Sequence, residues 1–183
     1  CGSTLLGYIL GSHPHGFYAG EAINVVNAQR EDRHERKHLC KLCGSACPVW
    51  DAVSACETDL YAKIAQRVGK PLIIDSTKYV NWIMEQGQRL QNRRVQPFLI
   101  DLLRDGRAVV NAYIRKYPQV EAQVWIHTWM KQVRQTQTLF SHFPGKKCKL
   151  HYEDLATDPD SVVQEVCFFL GIVYQPAMLD YYL

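Results

Sequence analysis

The first twenty positions of the 183-residue chain carry no Asp, Glu, Lys or Arg, and this silence excludes more than it suggests. Uncharged runs of that length raise the question of a bilayer span, but Gly7, Gly11, Pro14, Gly16, His13 and His15 break the apolar residues up too often for a membrane helix. No basic segment precedes an apolar run, so no secretory leader is visible, and the missing initiator Met predicts the inner part of a longer protein. Internal repeats and low-complexity tracts are also missing. Charge of one sign is scarce: 21 Lys plus Arg against 18 Asp plus Glu leave +3, too little for a dedicated nucleic-acid surface and enough for one anionic small ligand. Seven cysteines, an odd number, do not make a disulfide framework, and a chain of this length needs no such staples, which points to free thiols or a metal in a reducing, cytoplasmic setting. What is present is average globular composition, 47% hydrophobic and 21% charged, sufficient for a single domain over 1–183.

Periodicity predicts an α/β architecture. Leu5, Leu6, Ile9 and Leu10 lie at helical spacing behind Cys1-Gly2-Ser3-Thr4 and stop at Gly11-Ser12-His13-Pro14. Residues 28–57 form a polar, Cys-rich insertion. Leu60, Tyr61, Ile64, Ala65 and Val68 make an amphipathic helix closed by Gly69, and Leu72-Ile73-Ile74-Asp75 is a short apolar run of the parallel-strand type. A helix over about 78–86, a strand over 98–103, a helix through Val109 and Tyr113, a long helix carrying Trp125, Trp129 and Val133, and a strand over 147–151 continue the alternation. Asp158-Pro159 opens a last helix with an Asp cap and Pro at its first position, and Gly171 lies beyond its end.

A Gly-Ser-Thr turn running straight into a helix aims unpaired N–H groups and a positive dipole at whatever anion sits there, and Ser3 and Thr4 add hydroxyl donors. The same residues also suit a plain helix cap. A nucleoside-triphosphate loop would need Gly-Lys-Ser/Thr, and no Lys stands there, so triphosphate hydrolysis and a nucleotide-kinase reading are poorly supported.

Cys1-Gly-Ser-Thr-Leu-Leu6 with His13-Pro14, Leu72-Ile-Ile-Asp-Ser-Thr-Lys78, Leu102-Leu-Arg-Asp-Gly-Arg-Ala-Val-Val110, and Tyr152-Glu-Asp-Leu155 followed by Asp158-Pro159 and Phe169-Leu-Gly171 stand in one order along the chain. Together they resemble the sulfotransferase family that uses 3′-phosphoadenylyl sulfate (PAPS). The resemblance implies a P-loop-like fold with a parallel sheet and helices on both faces, and transfer of a sulfuryl group to an acceptor hydroxyl or amine on a small molecule, glycan or peptide. It implies cofactor contacts from Cys1, Gly2, Ser3, Thr4 and Leu5 to the phosphosulfate and from Arg104 to the 3′-phosphate. In the family a basic residue at the end of a first strand precedes the position of Cys1, and here both are absent, which predicts truncation at the N-terminus; a C-terminal cofactor loop is expected to be missing as well. The family also has a Ser eight positions after the Arg, where this chain has Ala112, so the neighbouring Asn111 is the expected substitute.

Two residues are expected to carry the chemistry. Glu21 breaks the uncharged stretch behind Phe17 and Tyr18, where the resemblance places a general base; a carboxylate beside aromatics would be partly desolvated and tuned toward that task. Lys78, at the end of the Asp75-Ser76-Thr77 segment, is placed to face the sulfuryl or bridging oxygens, with Asp75 or Ser76 capping the next helix. Arg104 could alternatively pair with Asp101 or Asp105 and Glu21 could simply start a helix, while Arg107 is expected in solvent on a first helical turn. Cys40, Cys43, Cys47 and Cys56, with His34 and His38 as spare ligands, would suit a structural zinc, reduced thiols or a local disulfide. Rival readings are a non-catalytic remnant of the fold and a zinc-stabilised interaction module.

Overall fold

A computed structural model describes residues 2–24, 47–50 and 59–182 of the chain. Cys1 and most of the Cys-rich insertion, Cys40, Cys43 and Cys56 included, lie outside the described residues. The chain divides into two compact units, one made of Cys1–Gly2 with Tyr79–Tyr174 and the other of Ser3–Lys78 with Gln175–Leu183.

In the Ser3–Lys78 unit, α1 (Ser3–Gly11) buries Leu6, Ile9 and Leu10, the stripe their spacing predicts. Gly7 is there because a Cβ would strike the Tyr18 ring. The chain then turns through buried His13, whose Nδ1 accepts the His15 N–H at 3.0 Å, into β1 (Gly16–Tyr18). Periodicity does not predict that strand: three residues are too few to display an alternation. It pairs in parallel with β2 (Leu72–Ile74), Phe17 opposite Ile73. Between them α2 (Leu60–Val68) buries Leu60 and Ile64 and ends at Gly69, whose φ of 65° is the left-handed conformation that glycine adopts without steric cost. A 3₁₀ turn at Pro176–Asp180 packs on α1 and buries Met178.

In the Tyr79–Tyr174 unit, α3 (Val80–Asn92), β3 (Phe98–Leu103), α4 (Gly106–Lys116), α5 (Ala122–His142), β4 (Lys146–His151), α6 (Tyr152–Thr157) and α7 (Pro159–Leu170) follow in order. β3 and β4 are parallel and in register from Phe98–Lys146 to Leu103–His151. The predicted α/β class with parallel strands is therefore present, as a parallel pair in each unit. α3 starts two residues later than expected and runs past Gln86, because buried Gly87 seats the Phe143 ring and an Arg89–Glu85 ion pair of 2.5 Å supports the next turn. Its N-cap position is Tyr79, without a side-chain cap bond, so neither Asp75 nor Ser76 caps it: the helix begins too far along the chain for either to reach the N–H groups of its first turn.

α7 forms as its punctuation dictates. Asp158 accepts the Ser161 N–H at 3.2 Å, Pro159 occupies the first turn, Val162, Val163, Val166 and Cys167 are buried, and Gly171 closes the helix at φ 73°. Asp158→Ala is expected to lower stability by about 1 kcal/mol, measured as a drop of several degrees in the thermal midpoint. An unchanged midpoint would show that the cap contributes nothing.

Candidate functional site

In the Ser3–Lys78 unit, backbone pairing continues past the ends of β1 and β2. Ile74 O accepts from Ala19 N at 2.8 Å, and Gly20 O accepts from Ser76 N at 2.7 Å. Side chains then lock the two segments together. Asp75 Oδ1 accepts from Ala22 N (3.1 Å) and Thr77 N (2.8 Å), and its Oδ2 accepts from the Tyr61 hydroxyl at 2.6 Å. Thr77 Oγ1 takes the Ile23 N–H at 3.4 Å, and the Tyr18 and Ser76 hydroxyls are 2.8 Å apart. At the open end of this seam the Glu21 carboxylate and the Lys78 ammonium form an ion pair, and Asn24 Nδ2 donates to Glu21 Oε2 at 3.4 Å.

The two residues expected to act as base and cation, 57 positions apart in sequence, are thus brought together. Glu21 is held by a cation and an amide, and its side chain stays 32% exposed. Asp75, by its sequence position a helix cap, is in the fold the clasp that holds both segments. A carboxylate directly after an apolar strand is the available signal, but which N–H groups it finds depends on a segment more than fifty residues away.

Ser3, Thr4 and Leu5 form the first turn of α1, which contains no acidic residue to offset the positive end of the helix. Gly2 belongs to the Tyr79–Tyr174 unit; its φ is 90°, and a Cβ there would run into the Tyr152 ring, with Leu102 Cδ2 at 3.4 Å.

Arg104 leaves β3 at its carboxyl end, one residue past the Leu103–His151 pair. Its guanidinium lies over the Tyr152 ring, 4.4 Å from the centroid, and its Nε is buried with no hydrogen-bond partner among the described residues. The alternative pairings are taken up elsewhere. Asp105 caps α4 and holds Arg107, with Nη2–Oδ2 at 2.6 Å; the Arg107 hydrogen bonds pull the Asp105 carboxyl down to about 2. Arg107 itself is 92% exposed, as expected of a first-turn residue. Asp101 is buried opposite Lys149, and burial raises its carboxyl pKa although Lys149 opposes the shift. Glu153 accepts the Asp105 N–H at 3.0 Å and is held low chiefly by that bond, with Arg104 adding a smaller attraction.

Beyond Arg104, one stripe of α4 presents Ala108, Asn111, Ala112 and Arg115, at the spacing of adjacent helical turns. These residues, Arg104 and Lys116 line an open cleft of about 510 Å³. Three of them are cationic, and no carboxylate lines the cleft among the described residues. Arg115 and Lys116 do not stand out in the sequence, where they are ordinary basic residues in the last turn of a helix.

Cys47 and Cys167 are buried, Cys148 is half-buried, and none of the three is in a disulfide among the described residues. Burial, and then Asp101, pushes the Cys148 thiol up to about 11, so it is inert at neutral pH. Among the described residues no group of three or more His, Cys, Asp or Glu could hold a metal; the four-cysteine zinc reading falls largely on residues outside them. No helix of the described residues is long and apolar enough to cross a membrane.

Part of the chain matches a family model in sequence, and solved structures share its fold. Residues 96–176 match the model of the sulfotransferase family, a segment that contains β3, Arg104, α4 and the helices to α7. No curated protein matches the chain in sequence. Among solved structures, a sulfotransferase domain from the curacin biosynthetic pathway superposes with a TM-score of 0.70 at 19% identity, covering 100% of this chain and 74% of that one. The sulfotransferase domain from the Synechococcus PCC 7002 olefin synthase gives 0.72 at 23%, covering 100% of this chain and 73% of that one. At these identities the likeness is one of fold. Residues 96–176 thus carry the sequence pattern of the sulfotransferase family, and the chain shares its fold with sulfotransferase domains.

Proposed function

We propose that the chain transfers a sulfuryl group from PAPS to an acceptor hydroxyl or amine by in-line displacement. The observation that carries the reading is Arg104: a guanidinium at the carboxyl end of a parallel strand, its buried Nε unpartnered among the described residues, beside a cleft lined by cations without carboxylates. Open α/β sheets bind their ligands at strand carboxyl ends, and a planar guanidinium forks onto phosphate oxygens. These donors fit the 3′-phosphate of PAPS, with Asn111 as a neutral donor on the same face. Cys1, Gly2, Ser3, Thr4 and Leu5 are assigned to the phosphosulfate, which suits a helix start free of acidic side chains.

When bound, PAPS supplies the sulfuryl group. Glu21 accepts the proton of the acceptor at its carboxylate, and Lys78 offers positive charge to the oxygens at which charge collects, as loose phosphoryl-type transfers require. Their ion pair holds both groups in place before substrate arrives, and the Asp75 clasp fixes the backbone that carries them. Thermal-shift titration with the product 3′-phosphoadenosine 5′-phosphate is expected to raise the midpoint in a saturable way. An acceptor screen with labelled PAPS then reads the transfer itself. If no nucleotide-dependent shift occurs, the chain is a non-catalytic relative that retains only the fold.

A further inference from the structure

We infer that Arg115, reinforced by Lys116, makes the α4 cleft select a 3′-phosphorylated nucleotide, supplying by charge what alanine at position 112 does not supply by hydroxyl. This rests on the sulfotransferase reading above. Ala108 and Ala112 are small and leave the helix face open, while Asn111 and Arg115 flank them one turn apart, so a phosphate approaching the stripe meets donors at its edges and no bulk at its centre. Arg115 makes no hydrogen bond or ion pair among the described residues, so its charge is uncommitted. Lys116 lies 5.2 Å from the Tyr117 ring centroid, a contact that leaves its charge intact.

A terminal phosphate carries more than one negative charge near neutral pH, whereas a 3′-hydroxyl carries none. A second guanidinium therefore favours the phosphorylated nucleotide and does nothing for the other. The small alanine gives Arg115 room that a side chain at position 112 would contest. Because Arg115 is exposed, its worth is bounded by solvent screening and depends on salt.

The test is calorimetric titration of the whole chain with 3′-phosphoadenosine 5′-phosphate and with adenosine 5′-monophosphate, at low and at physiological salt. Arg115→Gln is expected to weaken the bisphosphate about tenfold and leave the monophosphate unchanged, so that the ratio of affinities collapses. Arg115→Lys should recover part of the ratio, and Ala112→Ser in the Arg115→Gln background should recover part of the bisphosphate affinity. If the unaltered chain prefers the bisphosphate and Arg115→Gln leaves that ratio intact, the assignment to Arg115 is overturned while the sulfotransferase reading stands. If the unaltered chain binds neither nucleotide, the sulfotransferase reading fails and this inference fails with it.

Discussion

Glu21→Gln is expected to reduce turnover by roughly 10²- to 10⁴-fold, the ordinary contribution of a positioned general base, with nucleotide affinity nearly unchanged. The amide has the shape of the carboxylate but cannot take a proton from the acceptor. It also ends the ion pair with Lys78, leaving that ammonium untethered. The backbone around it is held by other bonds: Asp75 to Ala22 and Thr77, and Ser76 to Gly20. The variant should therefore melt within a degree or two of the parent, since an exposed ion pair adds little to stability. Steady-state rates at saturating donor and acceptor, with product-nucleotide binding measured alongside, separate the two effects. Equal turnover would remove Glu21 as the base, and lost nucleotide affinity would make it a binding residue instead.

Arg104→Ala has the next largest expected effect, on binding. A charged hydrogen-bond donor to phosphate contributes about 1.5–3 kcal/mol, which corresponds to a roughly 10- to 100-fold loss of affinity for 3′-phosphoadenosine 5′-phosphate. Little else depends on Arg104: its described interactions are the face of Tyr152 and a small attraction to Glu153, and Asp105 is already committed to Arg107 and the start of α4. Stability should fall by no more than about 1 kcal/mol, the value of a cation over an aromatic ring, and removal of a buried unpartnered donor works in the opposite direction. Isothermal titration reads the affinity and a thermal melt controls for folding. An affinity within twofold of the parent would show that the phosphate is held elsewhere.

The candidate residues of each unit are largely legible in the amino-acid sequence. Arg104 falls at a strand end because the apolar run Leu99–Leu103 stops there, and Lys78 because Leu72–Ile74 stops just before it; strand ends are written in local composition. The cap of α7 is equally readable, since Asp158 acts on an N–H group three residues away. Asp75 misleads for the opposite reason. Its partners at Ala22 and Tyr61 belong to other segments, and nothing near Asp75 in the chain distinguishes a clasp from a cap.

The uncharged opening stretch illustrates the division. Sequence alone establishes that it is no membrane segment, that it starts a helix and that the first charge after it is Glu21, because glycine, proline and apolar spacing act within a few residues. Only the tertiary structure decides that Glu21 meets Lys78, that Arg104 escapes both neighbouring aspartates, and that Arg115 shares a cleft with it. Those outcomes depend on strand pairing and helix rotation, which bring together groups from different parts of the chain and fix which charges find partners and which remain available to a ligand.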